Sequence, residues 1–314
     1  MDSFLFSVNA TMPVFLLMVT GWFLHQVGWI SDDFAKAMNS FVFRVPLPVL
    51  LFNQLATTDF VSTWDTGFVL FCFVVTLLSI ALVSLCSLLI KDPAVRGEFV
   101  QSSYRSSAAL LGIAYITNIY GRATMAPMMI IGAVPLYNVM AVIVLSLSTP
   151  DTQGLSGPVI SRTLKGIVTN PIIIGIVLGF GWSILKLPLP EVFADALSSI
   201  GSMSTPMGLM AMGASVDIKS AMGSLKPALA ASFFKLIGLE AIFLPVAVAL
   251  GFRTEKLIAI AIMLGSATTV SSFVMARNMH HEGTLTSNTV VITTVMATFT
   301  LTFWIWLMRV HGWI

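Results

Sequence analysis

The chain has 314 residues, 57% of them hydrophobic and only 10% charged, with a mean hydropathy of +0.94. A water-facing surface needs roughly a quarter of the residues charged, so a soluble globule is excluded, and the apolar content excludes disorder. Sixteen basic against 14 acidic residues leave a net charge of +2, which offers nucleic acid no electrostatic footprint.

A helix that crosses a bilayer needs about 20 mostly apolar residues. In chain order the pattern predicts spans 1 to 5 over Val8–Val27, Phe34–Ala56, Gly67–Ile90, Phe99–Tyr120 and Ala126–Leu147. Spans 6 to 10 follow over Ile167–Leu185, Val192–Ala214, Ala228–Leu250, Leu257–Ala276 and Val290–Met308. The connections are short and leave no room for a soluble domain. Before span 1 stands Asp2, with no Lys or Arg, the opposite of a signal-peptide n-region, so span 1 is expected to be retained. The predicted class is an all-α polytopic membrane protein.

Sliding the chain by 158 positions superposes its halves without a gap. Pro13 falls on Pro171, Gly21 on Gly179, Pro48 on Pro206 and Asp59 on Asp217. Asp33 matches Glu191 in kind, and the shift carries spans 3, 4 and 5 onto 8, 9 and 10. Residues 1–157 and 158–314 therefore read as two five-span repeats of one intertwined unit. Five spans is an odd number, so the second copy crosses the membrane in the opposite direction. Inverted repeats of this kind mark alternating-access transporters. Lys and Arg in the short loops divide eight against five, which predicts a cell-membrane protein with both termini outside.

Ionisable groups inside spans are costly and default to function. Glu240 is the acid nearest a span centre, and Arg44, Arg105 and Lys235 are the intramembrane bases. Lys235 and Glu240 are five apart, about 140° apart on an α-helix, so they do not form a simple same-face pair. Glu240 reads either as an ion-coupling carboxylate or as one half of a structural interhelical contact. Arg105 reads either as a bidentate clamp for a carboxylate or as a side chain snorkelling to the nearby water.

Spans 4 and 9 are interrupted by small and polar runs, residues 104–112 and 264–272, at matching places in the two halves. Broken helices so placed point to a midplane binding site whose half-helix N-termini favour anions; the alternative is close packing of small residues. The candidate substrate-binding residues are Arg105, Ser106, Ser107, Gly112, Gly265, Ser266, Thr268 and Thr269, joined by Tyr137 and Asn138 of span 5. Pro46, Pro48, Pro127, Pro135 and Pro245 are expected to kink or end helices, and Trp304, Trp306 and Trp313 to form an interfacial belt.

Other chemistry finds no support. Cys72 and Cys86 share span 3, and their 14-residue separation sets them roughly 21 Å apart, beyond disulfide reach. His25, His280, His281 and His311 form no cluster with thiols or carboxylates, so neither metal nor cofactor is expected. The run Gly154-Leu155-Ser156-Gly157 resembles an intramembrane-protease motif but has no base placed for its serine, and no phosphate-binding loop is present. The chain is not expected to be an enzyme.

Several short motifs resemble the auxin efflux carrier family, which includes bacterial relatives of the plant auxin carriers. They are Asn170-Pro171-Ile172-Ile173, Ser204-Thr205-Pro206 with Met212-Gly213-Ala214, and Tyr104-Arg105-Ser106 after Phe99. Tyr137-Asn138 and the stretch from Ser271 to Met275-Ala276 complete the set. The resemblance implies ten helices in two inverted repeats, with spans 4 and 9 unwound and crossing at the substrate site. It also implies carriage of organic anions, such as malonate, malate or an auxin-like acid, and assembly as homodimers. Members often carry Asn where this chain has Ser107 and Pro where it has Ala267, so the break in span 9 rests here on Gly265 and the Ser/Thr run. Two rivals remain open: a sodium-coupled organic anion symporter like the bile-acid symporters, and a non-transporting membrane sensor that kept the fold. The expected partners are a small organic anion, a coupling H⁺ or Na⁺ with Glu240 as first candidate for the proton, and the lipid bilayer.

Overall fold

The computed structural model describes residues 13, 16–57, 64–108, 116, 119, 120, 124–148, 165, 168–215 and 224–314. Every regular element among them is helical. The first part of span 1, Gly112 with most of the second half of span 4, and the 154–157 run lie outside the described residues.

Residues 16–26 form α1. Asp32–Arg44 is α2, whose N-cap Ser31 accepts a hydrogen bond from the Phe34 N–H at 3.2 Å. Val45 leaves helical geometry, and Pro46 opens α3 (Pro46–Ala56); a proline fits there because its missing N–H would be unpaired in a first turn. Thr66–Ser87 is α4, capped by Asp65 at 2.9 Å from the Phe68 nitrogen. Pro93–Tyr104 is α5 and Ala126–Leu147 is α6. Asn170 caps α7 (Pro171–Ile184) by accepting from the Ile172 N–H at 2.9 Å. Glu191–Ser202 is α8 and Ser204–Ala214 is α9, separated at Met203. Leu225–Phe233 is α10, which passes through a π-turn, Phe234–Gly238, into α11 (Leu239–Ala249). Thr254–Gly265 is α12, Val270–Asn278 is α13 and Thr284–Val310 is α14.

Among the described residues six helical stretches are long and apolar enough to cross a membrane: Asp32–Ala56, Thr66–Ser87, Ala126–Leu147, Leu225–Ala249, Thr254–Asn278 and Thr284–Val310. Pro171–Ile184 is a shorter apolar helix. In the most apolar 18-residue part of Thr254–Asn278, 83% is buried, against 44–61% for the others, so span 9 runs through the middle of the molecule. Outward-facing residues of α4 and α14, among them Leu70, Phe73, Phe299 and Phe303, are large, apolar and exposed, a surface suited to lipid rather than water.

Helix packing brings distant segments together. α3 lies along α7 and α8, and α2 lies along α9. Gly21 faces the Met210 backbone so closely that a Cβ would sit 2.7 Å from Met210 Cα, and a Cβ on Gly179 would sit 2.8 Å from the Phe52 carbonyl oxygen. These two contacts correspond under the 158-residue shift, and so do the helix breaks at Val45 and Met203. Glu98 of α5 is buried and ties down the start of α14, accepting from the Gly283 N–H at 2.8 Å and the Thr286 N–H at 3.0 Å.

One aromatic expectation is corrected. Trp304 is no interfacial side chain: it is 9% exposed and donates its indole N–H to the Leu236 carbonyl at 3.2 Å. The π-turn alters the backbone pairing around Leu236, and an indole N–H buried among helices needs such an acceptor. Trp306 is exposed.

Candidate functional site

α5 ends at Tyr104, and residues 105–107 are not helical; α12 ends at Gly265, and the chain is extended at Ser266 and Thr269 before α13 begins. The two breaks cross. The Ser107 N–H donates to the Ala267 carbonyl at 2.9 Å, so each interruption supplies part of what the other lost. Several of the other freed groups are met by side chains, as buried backbone requires. The Thr268 hydroxyl donates to the Ser102 carbonyl at 2.8 Å, and the Thr293 hydroxyl accepts from the Thr268 N–H at 3.0 Å. Gln101 donates to the Ser272 carbonyl at 3.1 Å. The Ser/Thr run thus stabilises the break in span 9 with Ala267 at its centre.

A cavity of about 200 Å³ opens at this crossing. Its wall includes Arg105, Ser106, Ser107, Tyr137, Asn138, Thr268 and Thr269, seven of the ten residues singled out in the sequence as substrate-binding. Gly265 and Ser266 are buried behind the wall rather than in it, and Gly112 lies outside the described residues. The apolar side is made by Leu47, Leu50 and Leu51 of α3 and by Val134 of α6. Sequence reasoning did not select Gln54, Ser204, Thr205 or Thr294, which also line it. Gln54 is a polar residue within an apolar span, a signal that was available. Thr294 carries none, because threonines recur along α14.

Arg105 is 1% exposed. It does not snorkel, because the break turns its side chain inward toward α6 and α13. Nη2 donates to Asn138 Oδ1 and to Ser271 Oγ, both at 2.8 Å, while Nη1 lies 2.8 Å from Met275 Sδ and 3.5 Å from Gln101 Oε1. Its Nε–H has no partner, and among the described residues no carboxylate lies within ion-pair distance of it. Thr269, Val270 and Ser271 at the start of α13 form the adjoining wall, and Thr269 makes no side-chain cap. A helix N-terminus of this kind carries partial positive charge. Cation and dipole therefore converge on one small, half-apolar chamber.

Behind the wall sit Lys235 and Glu240, both fully buried. The expectation that they point about 140° apart is corrected by the π-turn. Its i→i+5 bonding widens the winding relative to an α-turn, and both side chains reach the end of α12. The Lys235 ammonium donates to the Leu264 carbonyl and, at 2.5 Å, to Ser106 Oγ. The Glu240 carboxylate rests against Gly265, where any Cβ would overlap it, and neither of its oxygens has a hydrogen-bond partner. The two charges do not pair directly. Arg44, the other intramembrane base, stands exposed at the end of α2.

The family model described as membrane transport protein matches residues 6–305. The chain belongs to the auxin efflux carrier family. It is a membrane transport protein, and the crossing with its cavity belongs to a transporter. No curated protein matches the chain. The family is one of transport rather than of enzymes, and among the described residues no group of His, Cys, Asp and Glu could hold a metal ion.

Proposed function

We propose that this transporter is a secondary carrier of a small organic anion, working by alternating access, with the carboxylate bound on Arg105 in the cavity at the crossing. The observation that carries the reading is Arg105 itself. Buried charges are paired or coordinated, yet this guanidinium has neutral partners, a free Nε–H and an open cavity beside it. The missing counter-charge is the substrate's. Asn138, Ser271 and Gln101 hold the guanidinium plane in place, and the start of α13 adds positive potential for the same carboxylate or a second one. Leu47, Leu50, Leu51 and Val134 take the hydrocarbon part. Ser107 and Thr269 supply hydroxyls around it, while Ser106, Thr268 and Tyr137, whose hydroxyls are donated to backbone carbonyls, shape the wall. The substrates of choice are malonate, malate and indole acetic acid.

The architecture proposed is ten spans in two inverted five-helix repeats, residues 1–157 and 158–314. It is supported by the breaks at Val45 and Met203 and by the glycine contacts of Gly21 and Gly179, each pair 158 positions apart. Glu240 is the proposed proton-coupling group. It is supported by complete burial, by two carboxylate oxygens without partners, and by its contact with Gly265 at the hinge of span 9.

The test is uptake of labelled malonate, malate and indole acetic acid by sealed proteoliposomes, with pH and Na⁺ gradients imposed separately. Accumulation of at least one acid, lost in Arg105→Gln, is the expected result. Equal accumulation by Arg105→Gln overturns the site, and no flux of any acid in verified liposomes overturns the substrate class.

A further inference from the structure

Lys235 is a second fully buried cation, and anion binding on Arg105 makes no use of it. It lies outside the cavity wall, on the far side of Ser106. It touches two oxygens, of Leu264 and Ser106, at the edge of a wider oxygen-rich helix end. α12 stops at Gly265, so its last carbonyls have no partner within the helix and form the negative end of its dipole. Met263 O accepts the hydroxyls of Ser106 and, at 3.1 Å, of Tyr137. Leu264 O and Ser106 Oγ both accept the Lys235 ammonium. The Glu240 carboxylate packs on the next residue, Gly265. Backbone carbonyls at an unwound helix end are what broken-helix carriers use to hold a coupling sodium ion, and a hydroxyl beside them is a further oxygen donor. Here the position is filled by a side chain that the π-turn delivers from the neighbouring span.

We infer that Lys235 is a tethered counter-cation: its ammonium takes the place at the crossing that a bound Na⁺ would take, so that this carrier runs without sodium and a variant lacking the ammonium acquires a requirement for it. The sodium-coupled reading of the sequence is thereby set aside for the wild-type chain, while its ion site survives in oxygen atoms. The inference deepens the transport reading, and one arm of its test needs no substrate.

The experiment compares wild type with Lys235→Ala in NaCl and in choline chloride at equal ionic strength. Thermal unfolding of the detergent-solubilised protein is the first readout, and uptake of labelled malonate, malate and indole acetic acid by proteoliposomes is the second. Wild type should unfold at the same temperature and take up substrate equally in both salts. Lys235→Ala should unfold several degrees higher in NaCl than in choline, the linkage expected of an ion bound only by the folded state. Its uptake should fall by about tenfold or more in choline and recover in NaCl, because a site occupied at about ten times its dissociation constant gains that factor. A lysine that only caps a helix end would leave a variant equally weakened in both salts, and that result overturns the inference. So does a wild type that needs Na⁺. A variant recovered folded from NaCl but not from choline supports it, and one recovered from neither overturns it. If no acid is transported by any form, the unfolding arm still decides the cation question separately from the choice of substrate.

Discussion

Replacing Arg105 by Met separates binding from folding. Methionine fills a similar volume but removes the charge and every donor. Two strong hydrogen bonds, to Asn138 and Ser271 at 2.8 Å, are lost; charge-assisted bonds contribute about 1.5–3 kcal/mol each, so about 3–6 kcal/mol of stabilisation goes. Against that, a buried cation without a counter-charge costs several kcal/mol in desolvation, which the variant recovers. The two terms nearly cancel, and the unfolding temperature should move by only a few degrees. Binding has no such compensation. Truncating one partner of a buried charge pair costs about 2–5 kcal/mol, which at 1.4 kcal/mol per decade is about 30-fold to about 3,000-fold in Kd. Calorimetric titration of purified protein with malonate, malate or indole acetic acid reads Kd, and thermal unfolding of the same sample reads stability. An Arg105→Met protein that binds its acid within about threefold of wild type would refute the reasoning outright.

Further outcomes follow from the same site. Glu240→Gln should abolish pH-driven accumulation while sparing substrate exchange; unchanged accumulation removes Glu240 from coupling. Gly265→Ala drives a Cβ onto the Glu240 carboxylate, 2.6 Å from Oε1, and overpacking of this kind costs about 1–3 kcal/mol. Adding Glu240→Ala should return most of that loss, and a double-variant cycle with no coupling energy between the two positions would contradict the packing. At the membrane edge the Lys256 ammonium, helped by the Phe68 N–H, holds the Asp65 carboxyl below its usual value of 3.8. A carboxyl lowered in the folded state stabilises fully above its unfolded value and loses that contribution as pH falls through the folded one. The pair is about a third exposed, so the effect stays under about 1 kcal/mol. Asp65→Asn should therefore flatten the acid side of the stability–pH curve, measured by unfolding between neutral and strongly acidic pH, and leave the neutral side little changed.

The membrane class and six of the predicted spans were legible because they depend on local quantities: apolar run length, charge scarcity and the positions of proline and glycine. The place of the candidate cavity was legible too, since the polar runs in the middle of spans 4 and 9 mark where the helices break and cross. Seven of its residues follow from those two runs and the Tyr137-Asn138 pair of span 5. Ser204 and Thr205 belonged to the motifs that carried the family resemblance, yet nothing in the local pattern aimed them at a cavity formed with residues about a hundred positions away.

Orientation and pairing were decided by the tertiary structure alone. Whether Arg105 reaches water or a cavity depends on how residues 105–107 turn, and that turn is set by a hydrogen bond to Ala267, 160 positions along the chain. Lys235 and Glu240 diverge on an ideal α-helix and converge here because one π-turn changes the winding between them, a departure that no hydrophobic period encodes. Trp304 faces inward for the same reason, drawn to the Leu236 carbonyl within that turn. Sequence by itself determined what must be buried from water and where the helices must break. Packing between helices decided which freed carbonyl meets which cation, Leu264 with Lys235, because backbone groups inside a membrane must be satisfied by whatever neighbour the fold brings within reach.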